Sequence, residues 1–167
     1  IIIKLESKGP LFFVQKRNGL NYHEFDCYKF RSMNLNPEAH LEQVSKNDPR
    51  ITRVGRFLRK TSIDELPQFI NVFLGQMSVV GPRPHMVSHT EMYAQRVNKF
   101  MVRHFVKPGI TGLAQTKGYR GEVEKETDII NRVKYDIFYM ENWSILLDII
   151  IISMAVSITV DGDVKAY

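Results

Sequence analysis

Thr61-Ser62-Ile63-Asp64-Glu65-Leu66-Pro67-Gln68 sets two adjacent carboxylates behind a cationic run, Arg53, Arg56, Arg59 and Lys60, and ahead of Gly81-Pro82-Arg83-Pro84. Ser62 followed three residues later by Glu65, just before an apolar run, matches a capping box, so the spacing predicts a helix beginning at Ser62. Phe69, Ile70, Phe73 and Leu74 would supply its buried face, and Gly75 would end it. Carboxylates flanked this densely by cations suggest phosphate chemistry. Phosphates need cations or free backbone N–H groups, while a nearby carboxylate can hold a divalent metal or attack as a nucleophile. From spacing alone, Glu65 could be no more than the capping partner, and Asp64 no more than a first-turn anion at a helix dipole.

Outward from this stretch the chain alternates short extended runs with helices. Leu11–Gln15 and Phe25–Ser32 read as strands joined through Arg17-Asn18-Gly19, whose Asn-Gly pair favours a tight turn. Pro37–Ser45 reads as a short helix, and Arg53–Lys60 as a helical turn gathering its cations on one side. Met77–Val80 is extended, and the two prolines beside Arg83 make a stiff loop from which it projects. A second helix is expected over Val87–His104, a loop over Lys107–Gly112, and a helix over Glu122–Asn142 with Ile129, Val133, Ile137 and Met140 on one face. The fold class is therefore α+β, mostly helical with a small β-hairpin or sheet, in one domain covering residues 1–167.

The 167 residues are 44% hydrophobic and 25% charged, ordinary globular composition that argues against global disorder. A net charge of +5 favours an anionic partner. The lone Cys27 rules out an internal disulfide framework and a Cys-rich zinc site, and its alternating context reads as a packed thiol in a strand. His85 and His89 stand four apart, but no third metal ligand is evident. Trp143 to Val160 carries a single charge, Asp148, in 18 residues, with Ser144, Ser153 and Ser157 completing a polar stripe. An amphipathic C-terminal helix in the membrane interface, a core helix and a short span all remain open. Nucleic acid is disfavoured, because the cations are not interleaved with aromatics on a recognisable recognition fold.

Five stretches then occur in order: Lys29-Phe30-Arg31-Ser32-Met33, Thr61 to Gln68, Gly75 to Pro84, Lys107-Pro108-Gly109-Ile110-Thr111-Gly112 and Glu141-Asn142-Trp143-Ser144. Together they resemble the bacterial sugar transferases, the monotopic polyprenyl-phosphate phosphoglycosyl transferases, over nearly the whole chain. The resemblance implies a membrane-associated monotopic catalytic domain on the cytoplasmic face of the bacterial inner membrane. It would transfer a sugar 1-phosphate from a UDP-sugar to undecaprenyl phosphate and release UMP. In the mechanism proposed for that family the first carboxylate, here Asp64, attacks the sugar-bearing phosphate, and the second, Glu65, is associated with Mg2+. Lys29, Arg59 and Arg83 match positions implicated in phosphate contact, with Arg31 and Arg56 as weaker candidates; Asp136 lies in a matching stretch without a derivable role. Pro84 to His89 and Gly118-Tyr119-Arg120-Gly121-Glu122 further resemble a branch that often transfers glucose 1-phosphate for exopolysaccharide or capsule assembly. The family's re-entrant N-terminal membrane helix is represented here by Ile1-Ile2-Ile3 at most, so upstream segments are expected to be missing, and a homo-oligomer stays open. A ternary complex without a covalent intermediate, a non-catalytic lipid-phosphate or nucleic-acid binding module and a degenerate scaffold are the competing readings.

Overall fold

Thr52 opens the first long helix, and the contacts made there tie the start of the chain to the segment that follows the hairpin. In the computed structural model, which describes residues 2–35, 48–121, 123 and 125–161, helix α1 spans Ile2–Glu6 and helix α2 spans Arg53–Lys60. The Thr52 hydroxyl accepts from the Gly55 N–H at 2.9 Å, and the Glu6 carboxylate accepts from the N–H groups of Arg53 and Val54 at 2.7 and 2.9 Å. Three donors left free by the first turn are thus satisfied. Gly55 is required where α2 crosses the segment after the hairpin, because a Cβ there would sit 1.8 Å from the Ser32 carbonyl oxygen.

The hairpin forms from β1, Phe12–Asn18, and β2, Glu24–Phe30, antiparallel with Phe12 opposite Phe30 and Asn18 opposite Glu24. The expected two-residue Asn-Gly turn does not form. Asn18 stays in the strand, and residues 19–23 make a wider loop closed by the Gly19 N–H to the His23 carbonyl, with Asn21 and Tyr22 in the left-handed region. Asn18 is held in β1 because its N–H also reaches the His85 carbonyl across the molecule.

Helix α3 covers Gln68–Phe73, followed by β3 at Ser78–Val80 and α4 at Val87–Arg96. The expected long helix to His104 is broken at Val97, which is extended, and Lys99 adopts φ 61°; the chain resumes as a 3-10 segment over Phe100–Phe105. That break turns Phe100 inward, where it is 1% exposed and packs with Tyr93, Val97, Ile129 and Val133. Lys107–Gly112 is not only a loop, since Gly109–Thr111 forms β4, parallel to β3. A Cβ on Gly109 would lie 2.1 Å from the Gly81 nitrogen, so glycine lets these backbones meet. Helices α5, Leu113–Thr116, α6, Glu126–Glu141, and α7, Ile145–Asp161, complete the chain. The helix expected at 37–45 and the proposed start of α6 at residue 122 lie outside the described residues.

Two further clusters complete the core: Val80, Leu113, Tyr139 and Ile151 join β3 and α5 to α6 and α7, while Phe25, Cys27 and Met77 pack beneath the hairpin. Cys27 is the expected packed thiol, its pKa pushed up by burial. Among the described residues helices dominate and the two sheets have two strands each, so the α+β assignment holds.

Helices α3 and α7 both expose large apolar side chains. On α3 the buried residues are Gln68 and Asn71, whereas Phe69, Ile70, Phe73 and Leu74 are 49%, 46%, 91% and 56% exposed. Asn71 is buried because its amide donates to the Asp26 carbonyl and the Gln76 side chain while its oxygen accepts from the Tyr28 N–H. The face predicted to be core is thus the outer one. On α7, Ile145, Leu146, Ile149, Ile150, Ile152 and Val156 are exposed together with Ser144, Ser153 and Ser157, so the outer surface of the helix mixes apolar residues with the polar stripe. Asp148 turns inward, accepting from the Tyr139 hydroxyl at 2.8 Å and the Trp143 indole at 3.2 Å. Among the described residues, no helix is long and apolar enough to cross a membrane.

Candidate active site

Ser62 does not cap a helix. It adopts φ 56° and ψ 12°, a left-handed conformation uncommon outside glycine, and a 3-10 turn over Ile63–Glu65 follows it. Pro67 then leads into α3, where its missing N–H is no loss. The tight turn buries both carboxylates, Asp64 at 7% and Glu65 at 5% exposure, and points Glu65 into a nest of cations instead of back at Ser62.

Three elements bring those cations. Lys29, near the end of β2, places Nζ 2.8 Å from Glu65 Oε1. Arg83, from the two-proline loop, places Nη2 2.7 Å from the same oxygen. Arg120, from the loop after α5, places Nη2 2.9 Å from Glu65 Oε2 and donates from Nη1 to the Ser62 hydroxyl at 2.8 Å. Burial would raise the Glu65 carboxyl, but Arg83, Lys29 and Arg120 overcome it and hold the group well below the usual carboxylate range. Asp64 goes the other way. Burial, reinforced by the neighbouring Glu65 charge, pushes it up, and the fields of Lys29, Arg59 and Arg120 offset this only in part. Two adjacent acids in one turn are thereby split into a permanent anion and a more basic carboxylate.

The remaining candidates separate cleanly. Arg59 bears on Asp64 through its field. Arg56 is exposed on α2, outside the cluster around Glu65. Arg31 is not a phosphate ligand in this arrangement: it is buried, and its guanidinium donates to the Pro10 carbonyl, the Ser7 carbonyl and the Ser7 hydroxyl at 2.6–2.8 Å, clamping the chain just after α1. Asp136 pairs with Arg103 behind the Arg83 loop. Buried His85 packs its ring against Tyr93 and Phe100, and among the described residues no group of three or more His, Cys, Asp or Glu gathers as a metal cage. Arg120 was not among the ranked candidates; it sits between Gly118, at φ 87°, and Gly121, a tight glycine turn that left only the arginine itself as a signal.

Lys29, Arg83 and Arg120 together carry more positive charge than Asp64 and Glu65 carry negative, so the turn can accept an anion. Mg2+ is commonly held by one or two carboxylates together with substrate phosphates; both Glu65 oxygens are taken by Lys29, Arg83 and Arg120, so Glu65 would join such a set only where donor phosphates draw those cations off it.

A profile of bacterial sugar transferases matches residues 1–162. The chain belongs to the bacterial sugar transferase family. It is 52% identical over 155 residues to a UDP-glucose:undecaprenyl-phosphate glucose-1-phosphate transferase of Klebsiella pneumoniae, covering 92% of this chain and 33% of that protein. A protein of the same name from Xanthomonas campestris pv. campestris is 48% identical, over 99% of this chain and 34% of its own length. An undecaprenyl-phosphate galactose phosphotransferase of Salmonella typhimurium is 40% identical, over 93% and 34%. The chain thus spans about a third of the length of these relatives. Asp64 and Glu65 stand at the paired carboxylates of the motif, and Lys29 and Arg83 both lie against Glu65.

Proposed function

We propose that this domain transfers a sugar 1-phosphate, glucose 1-phosphate first among candidates, from a UDP-sugar to undecaprenyl phosphate with release of UMP. The observation that carries the reading is the split pair: a raised, unspent carboxylate at Asp64 beside a Glu65 that gathers three cations. An Asp64 oxygen attacks the phosphorus bearing the sugar, the bond to the UMP oxygen breaks, and UMP leaves with the electron pair. The acceptor's phosphate oxygen then attacks the same phosphorus, and the Asp64–phosphorus bond breaks to restore the carboxylate. Lys29, Arg83 and Arg120 neutralise the phosphate oxygens as charge builds. Glu65, with the donor's phosphate oxygens, would hold Mg2+, which supplies further neutralisation of the diphosphate.

Donor and acceptor follow the names of the relatives. The galactose name of the Salmonella relative keeps the donor sugar open to test. A membrane-bound acceptor agrees with the outer surface next to the site, where Leu66, Phe69, Ile70, Phe73 and Leu74 stand exposed immediately after Asp64 and Glu65. A face of that composition on a six-residue helix is suited to the membrane interface. The monotopic placement on the cytoplasmic leaflet of the inner membrane is part of the same proposal, because UDP-sugars reach the site from the cytoplasm.

The test is UMP release by the full-length protein in nanodiscs with Mg2+, undecaprenyl phosphate and a panel of UDP-sugars, beside the Asp64→Asn variant. Turnover and a trapped phosphosugar adduct in the parent, both absent from the variant, support the reading. Undiminished turnover in the variant refutes the nucleophile. UMP release that requires lipid phosphate and leaves no adduct points instead to a ternary complex.

A further inference from the structure

The loop that carries Arg83 is short of donors. Pro82 and Pro84 have no N–H; after Gly81, whose N–H donates to the Thr111 carbonyl at 2.9 Å, residues 82–85 are held by their carbonyls. Four consecutive ones accept: Pro82 from the Gly109 N–H at 2.9 Å, Arg83 from Arg103 Nη2 at 2.7 Å, Pro84 from Arg17 Nη1 at 3.0 Å, and His85 from the Asn18 N–H at 3.4 Å. The Arg83 carbonyl is thus gripped from behind while its guanidinium reaches forward to Glu65.

The grip on Arg83 comes from a buried ion pair. Arg103 Nη2 also lies 2.7 Å from Asp136 Oδ2, and the two side chains are 1% and 2% exposed. Arg103 stacks over the Phe100 ring, 5.3 Å from its centre. One helical turn before Asp136 on α6, Arg132 donates to the Gly121 carbonyl at 3.0 Å, which is the loop that carries Arg120. One buried cluster therefore touches the backbone of both loops whose arginines meet at Glu65.

This cluster is poorly explained as a stability device. Burial lowers Arg103 and raises Asp136 despite their contact, the pattern of a pair whose desolvation is not fully repaid. We propose that Arg103 with Asp136, and Arg132 beside them, form a positioning frame: Arg103 sets the Arg83 loop and Arg132 sets the Arg120 loop, fixing where both guanidinium groups meet the donor's phosphates. None of the three touches substrate. The role rests on the phosphoryl-transfer reading above and gives Asp136 a place in it.

The test is a set of mutant cycles in the full-length protein, reading kcat and donor KM for UMP release. Arg103→Met/Asp136→Leu removes the pair without stranding a charge, and its thermal midpoint, expected at or above that of the parent, reports folding. Its kcat is expected to fall by about 10²-fold, the cost of a misplacement of roughly 1 Å. In an Arg83→Lys background the further loss should shrink below about threefold, while in an Arg120→Lys background it stays whole, since acting through one partner is what makes cycles non-additive. Arg132→Met should show the mirror pattern, coupled to Arg120 and additive with Arg83. Equal losses in all backgrounds, or none, overturn the proposal. If the pair variant does not melt cooperatively, Arg103→Lys, which keeps a charge for Asp136 but loses the planar guanidinium over the Phe100 ring, carries the same cycle. A crystal structure of the variant separates the two readings: Arg83 displaced from Glu65 upholds the frame even if no UDP-sugar is turned over, and Arg83 unmoved refutes it.

Discussion

Asp64→Asn and Glu65→Gln are near-identical changes in one turn, and the structure gives them opposite signs in stability. Glu65 is 5% exposed and receives Lys29, Arg83 and Arg120 at 2.7–2.9 Å, through side chains themselves only 17–21% exposed. A glutamine keeps one acceptor, turns an N–H toward a cation and leaves three positive groups facing each other. Removing one partner of a buried pair costs about 3–5 kcal/mol, and the residual solvent at the three cations favours the lower end. For a domain of this size about 3 kcal/mol corresponds to a fall in thermal midpoint of roughly 6–12 °C. Asp64 is held above its ordinary value by burial and by Glu65, so its ionised form is a burden to the fold at neutral pH. Asparagine removes that burden, a gain of about 1 kcal/mol, or roughly 2–4 °C.

The pH dependence separates the two further. A carboxyl raised in the fold favours the folded state at low pH and loses that contribution as pH rises through its folded value, so the advantage of Asp64→Asn should fade on acidification. Glu65, lowered well below 4.5, contributes stability above its unfolded value and keeps it until pH falls through the depressed one. The penalty of Glu65→Gln should therefore persist at pH 5. Calorimetric melts at pH 7.5 and pH 5 without added divalent ion decide the matter. Midpoints that move in the same direction for both variants, or a Glu65→Gln midpoint within about 1 °C of the parent, would refute the split of the pair.

Arg120→Ala should lower kcat/KM for UMP release by about 10²-fold, the cost of one charge-stabilising donor, with partial recovery in Arg120→Lys; a change under about threefold removes Arg120 from the site. Phe73, 91% exposed, should accept glutamate without a change in melting, yet Phe73→Glu should raise KM for undecaprenyl phosphate in nanodiscs by about tenfold with donor KM unchanged. Equal KM values would take α3 off the membrane surface. Gly55→Ala drives a Cβ to 1.8 Å from the Ser32 carbonyl and should cost about 1–3 kcal/mol, read as a midpoint lower by several degrees; an unchanged melt would mean that α2 does not press on that segment.

What could be read from residues alone followed the range of the interactions involved. The hairpin strands, α2, α6 with Ile129 and Val133 inward, and the meeting of Lys29, Glu65 and Arg83 were legible, because strand alternation, helical period and proline stiffness are local. The capping box failed although its spacing was correct. Ser62 and Glu65 found a better partner in Arg120, 58 and 55 residues away, and no local pattern encodes that contact. Arg31 was placed by similarly non-local contacts: it has the same charge as Lys29 two residues earlier, but its donors go to the carbonyls and hydroxyl of residues 7–10.

Helix α3 shows a different limit. Periodicity located its two faces but not the medium each one meets, and the apolar face was assigned to the protein interior because that is the usual outcome. The unpaired N–H of Tyr28 and carbonyl of Asp26 on β2 demanded a polar partner, which made Asn71 the buried residue and turned Phe69 and Phe73 outward. The same geometry that satisfies one strand's backbone therefore sets a greasy surface beside the turn that holds Asp64. The proposed reaction, joining a water-soluble nucleotide sugar to a lipid phosphate, would need that juxtaposition, because each substrate would have to reach Asp64 from its own phase.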